Sequence, residues 1–492
     1  MKHLTSRLMK AAALVVAMTV ALGAAAQEVN ITFGQQAKGI AKGNPQRLLG
    51  SDGQSAVYLT QSGSIVIPSR AIVSYDMAQQ ETGRVDLGKI KLNGTWGLNV
   101  REALVNGSKI DLLMVNDADG LVVTHERRDM ATLALEGEAK VIADLKGGKK
   151  DGLYVFSAVS PNRKLVAVAT AKVEAGIGAE VHVSLYSSEF EEYWSIEVPA
   201  HGFSDMIVNN EGEVAMMGLE EKDRRATVQA TVTDGEKTEQ MGFNYNADGM
   251  VFEWAPAFYA GGRLVLVCAV RDEHKTLMRT GVNIDCIDAV SLDMQGGTVT
   301  VDRHRFGEGE LADMENKKGT TTSYRWMDFG NMQQVLADDE GAFVVVDNQW
   351  DTYNQYGLVY TERRGMMVLR LGSNGTWSWA QTHRTYTKAA AGRMPWASYR
   401  WVRTADGIML AWTTNAKDAM KNSGETVKGL KVFDGGAELT VMTLDREGTS
   451  KQTRYTLGKQ TLLLHPTPIG DGEWLLFVSD KSKGTFGRLS IK

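Results

Sequence analysis

The stretch Ala158-Val159-Ser160-Pro161-Asn162-Arg163-Lys164-Leu165-Val166-Ala167-Val168-Ala169 sets two short apolar runs on either side of a polar turn. Apolar, Val-rich segments flanking such a turn predict two strands joined as a β-hairpin. The arrangement recurs along the chain. Asp52-Gly53 precedes Ala56–Leu59, Asn106-Gly107 precedes Ile110–Val115, Glu211-Gly212 precedes Val214–Met217, and Gly261-Gly262 precedes Leu264–Val270. In the C-terminal half, Glu340-Gly341, Asp406-Gly407 and Asp471-Gly472 precede Phe343–Val346, Ile408–Trp412 and Trp474–Val478.

With Gly53, Gly107, Asn162, Gly212, Gly262, Gly341, Gly407 and Gly472 as markers, successive steps are 54, 55, 50, 50, 79, 66 and 65 residues. The first five markers are nearly evenly spaced. Further strand-like runs follow each marker, such as Glu180–Tyr186 and Tyr193–Val198, or Met366–Leu371 and Thr376–Ala380. Four strands per unit at a step near 50 is the rhythm of an all-β propeller, whose blades are four-stranded sheets set around an axis. Eight blades are predicted, with seven as the alternative. The last unit supplies three strands, Leu462–Leu464, Trp474–Val478 and Phe486–Ile491, and the chain start offers a spare one at Val29–Phe33. Pairing that strand with the last blade removes two sheet edges and closes the ring.

Ser160-Pro161-Asn162-Arg163-Lys164 followed by Leu165-Val166-Ala167 resembles the Ser-Pro-Asp-Gly-Lys hairpin of WD40-like and TolB-type propeller repeats. Arg163 stands where that hairpin has glycine, and no Trp-Asp dipeptide ends each blade. The chain as a whole is similar to secreted bacterial propellers, a resemblance that implies architecture and no activity.

Lys2, Arg7 and Lys10, the apolar run Ala11–Leu22 and the small residues Gly23 to Ala26 form a secretory signal peptide spanning 1–26. Gln27 follows the expected cut, so a lipid-anchoring cysteine is missing there. The apolar run is shorter than the ~20 residues a membrane span needs. The expected mature chain, 27–492, is one propeller domain, with 27–45 as closing strand and lead-in. Its destination is the periplasm, the cell surface or the medium. Basic and acidic residues number 54 and 59, a balance that argues against a nucleic-acid partner. With 51 glycines and 8 prolines, the composition fits turn-rich β structure.

Cys268 and Cys286 fall in the two strands of one predicted hairpin. A pairing axis near Leu277 places them opposite one another. An exported protein permits a disulfide there, while two small buried hydrophobes are the competing reading. No metal site and no cofactor are expected.

Propeller topology puts the tight turns on one face and the second-to-third loops and blade connections on the other. Long insertions are expected on that second face at 307–323, 348–360, 385–395 and 414–435. Long loops on a rigid scaffold are where binding residues concentrate. The candidates for ligand contact are Trp350, Asp351, Tyr353, Tyr356, Trp396, Tyr399 and Trp401, with Tyr324 and Trp326 nearby. Aromatic faces beside carboxylates and amides suit a glycan or an extended peptide. Packing between blades competes with that role for each of them.

Enzyme signatures are sparse. Gly202-Phe203-Ser204-Asp205-Met206 lacks the second glycine of a nucleophile elbow. The eight histidines form no His-Glu-x-x-His pair. Asn116-Asp117-Ala118-Asp119-Gly120 reads as a turn rather than a calcium loop, and Arg127-Arg128-Asp129 as a charged strand end. The leading expectation is a non-catalytic exported propeller that binds a glycan, peptide or protein partner. A glycoside hydrolase or lyase on the same scaffold, and a structural subunit of an envelope assembly, are the alternatives.

Overall fold

The protein was analysed as a computed structural model, which describes residues 29–33, 45–63, 68–78, 80–89, 98–117, 120–146, 152–173, 179–200, 203–222, 225–247, 249–271, 286–305, 335–338, 340–353, 359–390, 400–415, 437–456, 462–463, 467–470, 472–479 and 484–491. The expected signal segment 1–26 lies outside them. The described residues form eight antiparallel blades, and no helix occurs among them.

Blade 1 runs through Pro45–Ser51, Ser55–Gly63, Pro68–Asp76 and Glu81–Lys89. Blade 2 has Leu98–Asn106, Lys109–Asn116, Leu121–Asp129 and Lys140–Leu145, and blade 3 has Gly152–Val159, Leu165–Val173, Ala179–Ser187 and Glu192–Ala200. Blade 4 comprises Asp205–Val208, Val214–Lys222, Arg225–Thr233 and Thr238–Tyr245, and blade 5 Met250–Ala260, Arg263–Arg271, Cys286–Asp293 and Thr298–Arg305. Blade 6 comprises Val335–Asp338, Gly341–Tyr353, Val359–Gly372 and Trp377–Ala390, and blade 7 Arg400–Arg403, Gly407–Asn415, Ala437–Asp445 and Ser450–Thr456. In blade 8 a broken first strand, Leu462–Leu463 and Thr467–Gly470, precedes Glu473–Ser479 and Gly484–Ile491. Its fourth strand is Val29–Phe33, which pairs antiparallel with Gly487–Ile491. Every one of the eight marker turns joins the first and second strands of its blade.

Why these segments form strands follows from their place in the blade. A second or third strand is covered on both sheet faces by neighbouring blades, so it reads as a near-continuous apolar run. Val166, Ala167, Val168 and Ala169 are all almost fully buried, and Cys286–Asp293 is buried at every position but the last. Fourth strands lie at the rim and carry mixed sequences, as Lys140–Leu145 does. At the blade 6 turn, Gly341 has φ 139°, and a Cβ there would meet the Leu371 carbonyl oxygen at 2.0 Å. Only glycine fits that approach.

The ring is held by apolar burial between blades. Among the described residues eight separate clusters of buried side chains occur, and each bridges one pair of consecutive blades. Leu48 and Tyr58 of blade 1 meet Leu475 and Phe486 of blade 8, which completes the circle. The start of the chain takes part: Val29, 6% exposed, packs with Met409, Val441 and Leu476 between blades 7 and 8. The Tyr455 hydroxyl donates to the Val29 carbonyl at 2.8 Å, and Arg488 Nη2 donates to Gly53 O at 2.8 Å.

Two expectations change. Cys268 lies opposite Asp288, and Cys286 opposite Val270, so the hairpin register offsets the cysteines by two residues. Both are buried, and no disulfide joins them. Leu277, the expected midpoint, lies outside the described residues. The insertions also include more strand than expected. Asn348–Tyr353 and Val359–Tyr360 extend the second and third strands of blade 6, and Thr385–Ala390 extends its fourth. Thr414 and Asn415 end a strand of blade 7. The stretches 307–323 and 416–435 lie outside the described residues.

Removing Val29–Phe33 is expected to open the ring at blade 8. Loss of the Val29 and Ile31 contacts alone costs about 3 kcal/mol. Chemical denaturation of chains beginning at residues 27 and 34 measures the difference; equal midpoints would show that the strand does not close the ring.

Candidate functional site

The residues that the sequence singled out divide into three groups. Trp350, Asp351 and Tyr353 lie in the second strand of blade 6, opposite Glu362, Thr361 and Val359. Tyr356, Trp396 and Tyr399, like Tyr324 and Trp326, lie outside the described residues. Trp401 sits in the first strand of blade 7 and packs against the cluster between blades 6 and 7, with Phe343 and Leu410 among its members. Its surroundings are those of a core side chain. The charged strand end of blade 2 is likewise absorbed by structure. Arg127 donates to both oxygens of fully buried Asp111, at 2.9 and 3.1 Å, and pairs with Glu189 of blade 3. Arg128 is bound by Glu126 and the Leu133 carbonyl.

Asp111 also contacts His125 Nε2 at 2.7 Å and accepts from Asn106 at 2.7 Å. Burial pushes its carboxyl upward, but these bonds prevail and hold it below the usual carboxylate range. Asp288 of blade 5 plays the same part. It is gripped by Arg303 at 2.6 and 2.7 Å and by the Tyr245 hydroxyl of blade 4. Asp338 of blade 6 accepts from Arg370 at 2.9 Å and from Arg446 of blade 7 at 3.4 Å. These saturated pairs join strands and blades and leave little for a ligand.

A different arrangement surrounds the axis. First strands line the centre of a propeller, and those of blades 1 to 4 carry Arg47, Arg101, Glu102, Ser157 and Asp205 a few residues before their turns. A β-bulge at Arg101, between Val100 and Glu102, displaces that side chain from the regular pleat. Arg47 Nη1 donates to the Arg101 carbonyl at 3.3 Å, and Arg101 Nε to Ser157 Oγ at 3.3 Å. Ser157 Oγ in turn donates to Glu102 Oε1 at 2.7 Å. Arg163, from the blade 3 turn, donates through Nη2 to the Ala103 carbonyl at 3.1 Å. The contacts form an arc across three blades, and Asp205 continues it into the fourth, where it feels the charge of Arg101.

Asp205 is 6% exposed, and its Oδ1 accepts the Met206 amide at 2.7 Å. Burial raises its pKa to about 7, against the opposing pull of that bond and of Arg101. Strongly shifted carboxyls of this kind concentrate at functional positions. Among the described residues no group of three His, Cys, Asp or Glu side chains is placed to hold a metal ion. A pocket of about 170 Å3 opens between blades 3 and 4, lined by Phe203, Met217, Gln229, Thr231, Gln240 and Met241 among others. Gln240 Nε2 closes one side of it by donating to Pro199 O at 2.7 Å.

Sequence reading missed the axial arc because its members are separated by one blade. Their contacts join residues 54, 55, 56 and 60 apart. That interval is the repeat step itself, so charged residues one step apart on first strands were the available signal.

Two consequences are measurable. Replacing Trp401 with Ala should lower stability by about 2–3 kcal/mol, since it empties part of the packing between blades 6 and 7. Retained stability in a denaturation experiment would instead mark Trp401 as a free surface residue. Asp205 titrates near 7 when folded and near its ordinary 3.8 when unfolded, so folding stability should fall as pH rises from about 4 to 7. Asp205→Asn should flatten that part of the profile and stabilise the protein at pH 8, by up to about 4 kcal/mol. Denaturation midpoints at pH 5 and 8 for both proteins test the sign.

No family model and no curated protein matches the chain. Similar solved structures include the WD40 domain of SCAP from fission yeast, at 9% identity and a TM-score of 0.36, covering 94% of this chain and 98% of that one. Synechocystis apocarotenoid oxygenase is similar at 11% identity and a TM-score of 0.41, over 90% of this chain and 95% of that one. An ACO/RPE65 chimera gives 11% identity and a TM-score of 0.40, over 88% and 93%. At such identities the likeness carries no activity across. The geometry of the described residues makes the chain an eight-bladed β-propeller.

Proposed function

We propose that this protein is an exported, non-catalytic propeller that binds a glycan, peptide or protein partner on the face bearing its long second-to-third loops. The observation that supports this reading is the shape of blade 6. Its second, third and fourth strands run 13, 14 and 14 residues, against 9 for the second strand of blade 3. At roughly 3.3 Å per residue the extra four or five residues project about 15 Å along the strand direction. A strand-built projection holds its residues in fixed positions more firmly than a loop does. Trp350, Asp351 and Tyr353 are on it.

A hydrolase needs two carboxyl groups set across a cleft. Asp205 is one axial carboxyl with a raised pKa, while Glu102 on the same arc already accepts from Ser157. Binding is therefore the better-supported reading.

A glycan and peptide array probed with residues 27–492 tests the proposal. Retention of a ligand class that is lost in Trp350→Ala, with unfolding unchanged, is the expected result. Turnover of an arrayed glycan, or an identical array pattern for the variant, would count against it.

A further inference from the structure

We propose that Arg47, Arg101 and Arg163 form a binding site for the carboxylate of a ligand that enters the axial channel from the face of the tight turns. The site lies within the channel, at mid-strand depth on the first strands of blades 1 and 2, and stands independently of the function proposed for the long loops.

Charge balance is the first argument. Arginines in the outer parts of the blades sit against carboxylates: Arg127 on Asp111, Arg303 on Asp288, Arg370 on Asp338. Among the described residues, none of the three axial arginines forms such an ion pair. Each is positioned by a hydrogen bond to a neutral oxygen, the Arg101 carbonyl, Ser157 Oγ or the Ala103 carbonyl. One such bond positions a guanidinium and leaves most of its five donors for an anion. All three residues are exposed.

The second argument is what Arg163 costs. Its φ is 59°, in the left-handed region where glycine is easier. Protein surrounding its guanidinium lowers its pKa, although the residue stays accessible to solvent. A cation that is both accessible and encircled is the condition inside a narrow channel. Backbone strain and desolvation together are hard to account for by folding alone.

Third, the position is rigid before any ligand arrives. The Leu165 amide donates to Ser160 Oγ at 3.0 Å and the Lys164 amide to Asn162 Oδ1 at 3.0 Å. The Asn162 amide donates to Asn210 Oδ1 of the blade 4 turn at 3.0 Å, so two blades fix the base of Arg163. Preorganised donors bind without a large ordering cost.

The neighbouring acids select the kind of anion. Glu102 lies close enough to Arg163 to raise its pKa, while Arg47 lowers it. Above the Asp205 pKa of about 7, three cations beside Glu102 and Asp205 leave an excess of one charge, which a monoanion neutralises. A phosphate dianion would meet both acidic groups. A carboxylate fits, and it has two sources: an acidic sugar or a peptide C-terminus.

Isothermal titration of residues 27–492 with sodium glucuronate and with acetyl-trialanine tests this, using glucose, acetyl-trialanine amide and inorganic phosphate for comparison. The carboxylates should bind at least 10-fold more tightly than their neutral counterparts, and more tightly than phosphate. Arg163→Gly relieves the backbone, so it should fold at least as well and lose affinity 10-fold or more. Arg47→Gln should lose affinity at unchanged thermal stability and serves where the turn variant misfolds. Preference for glucuronate assigns a sugar ligand, preference for the peptide assigns a chain end, and parity leaves the carboxylate as the determinant. Absence of binding by both carboxylates, equal binding of neutral probes, tighter binding of phosphate, or unchanged affinity in folded variants would overturn the proposal.

Discussion

Apolar contact between consecutive blades is the interaction on which everything else in this molecule rests. A four-stranded sheet has two faces, and a single blade cannot hide either of them. Placing eight sheets around an axis gives each face a partner, provided that the eighth meets the first. The cluster of Leu48, Tyr58, Leu475 and Phe486 supplies that meeting, and Val29 of the closing strand seals the neighbouring joint. Because second and third strands are covered on both sides, their sequences are apolar throughout. Polar residues are displaced to the rim, the turns and the axis.

That displacement explains how much of the architecture the sequence displayed. The turn residues could be read one by one, since Asp-Gly and Asn-Gly steps must end a strand wherever they occur. The short strand Val29–Phe33 was legible because the final unit was one strand short. Hairpin register was not legible. Cys268 and Cys286 are offset by two positions because their hairpin turns about a different midpoint from the one their numbering implies. The insertions of blade 6 looked like loops because polar and aromatic residues interrupt the apolar run. In the structure the ladder continues through Tyr353 on one strand and from Val359 on the next.

The site was less legible than the fold. Trp401 carries the same side chain as a sugar-stacking platform, and only its neighbours in the cluster between blades 6 and 7 reveal a packing role. Composition near a loop does not separate the two uses of tryptophan. Arg47, Arg101 and Arg163 are unremarkable in linear sequence. The ring turns a separation of one repeat into a contact of about 3 Å. Asp111, Asp288 and Asp338 show the converse: acidic residues in strands that look exposed by type, yet each is consumed by arginine across strands or blades.

The closing strand also imposes an order of events. Tyr455 and Val29 are 426 positions apart, and the two ends of the chain meet only through such contacts. During synthesis the first of these segments must wait, unpaired, until nearly the whole polypeptide has emerged. The entropy of so long a closure grows slowly with length, but contacts this distant make for slow folding. Early blades can stack as they appear, while the ring stays an open arc with one bare sheet at each end. The newborn chain is thus most vulnerable to aggregation while that strand is still unmade, and the eight-residue strand Gly484–Ile491 decides when that period ends.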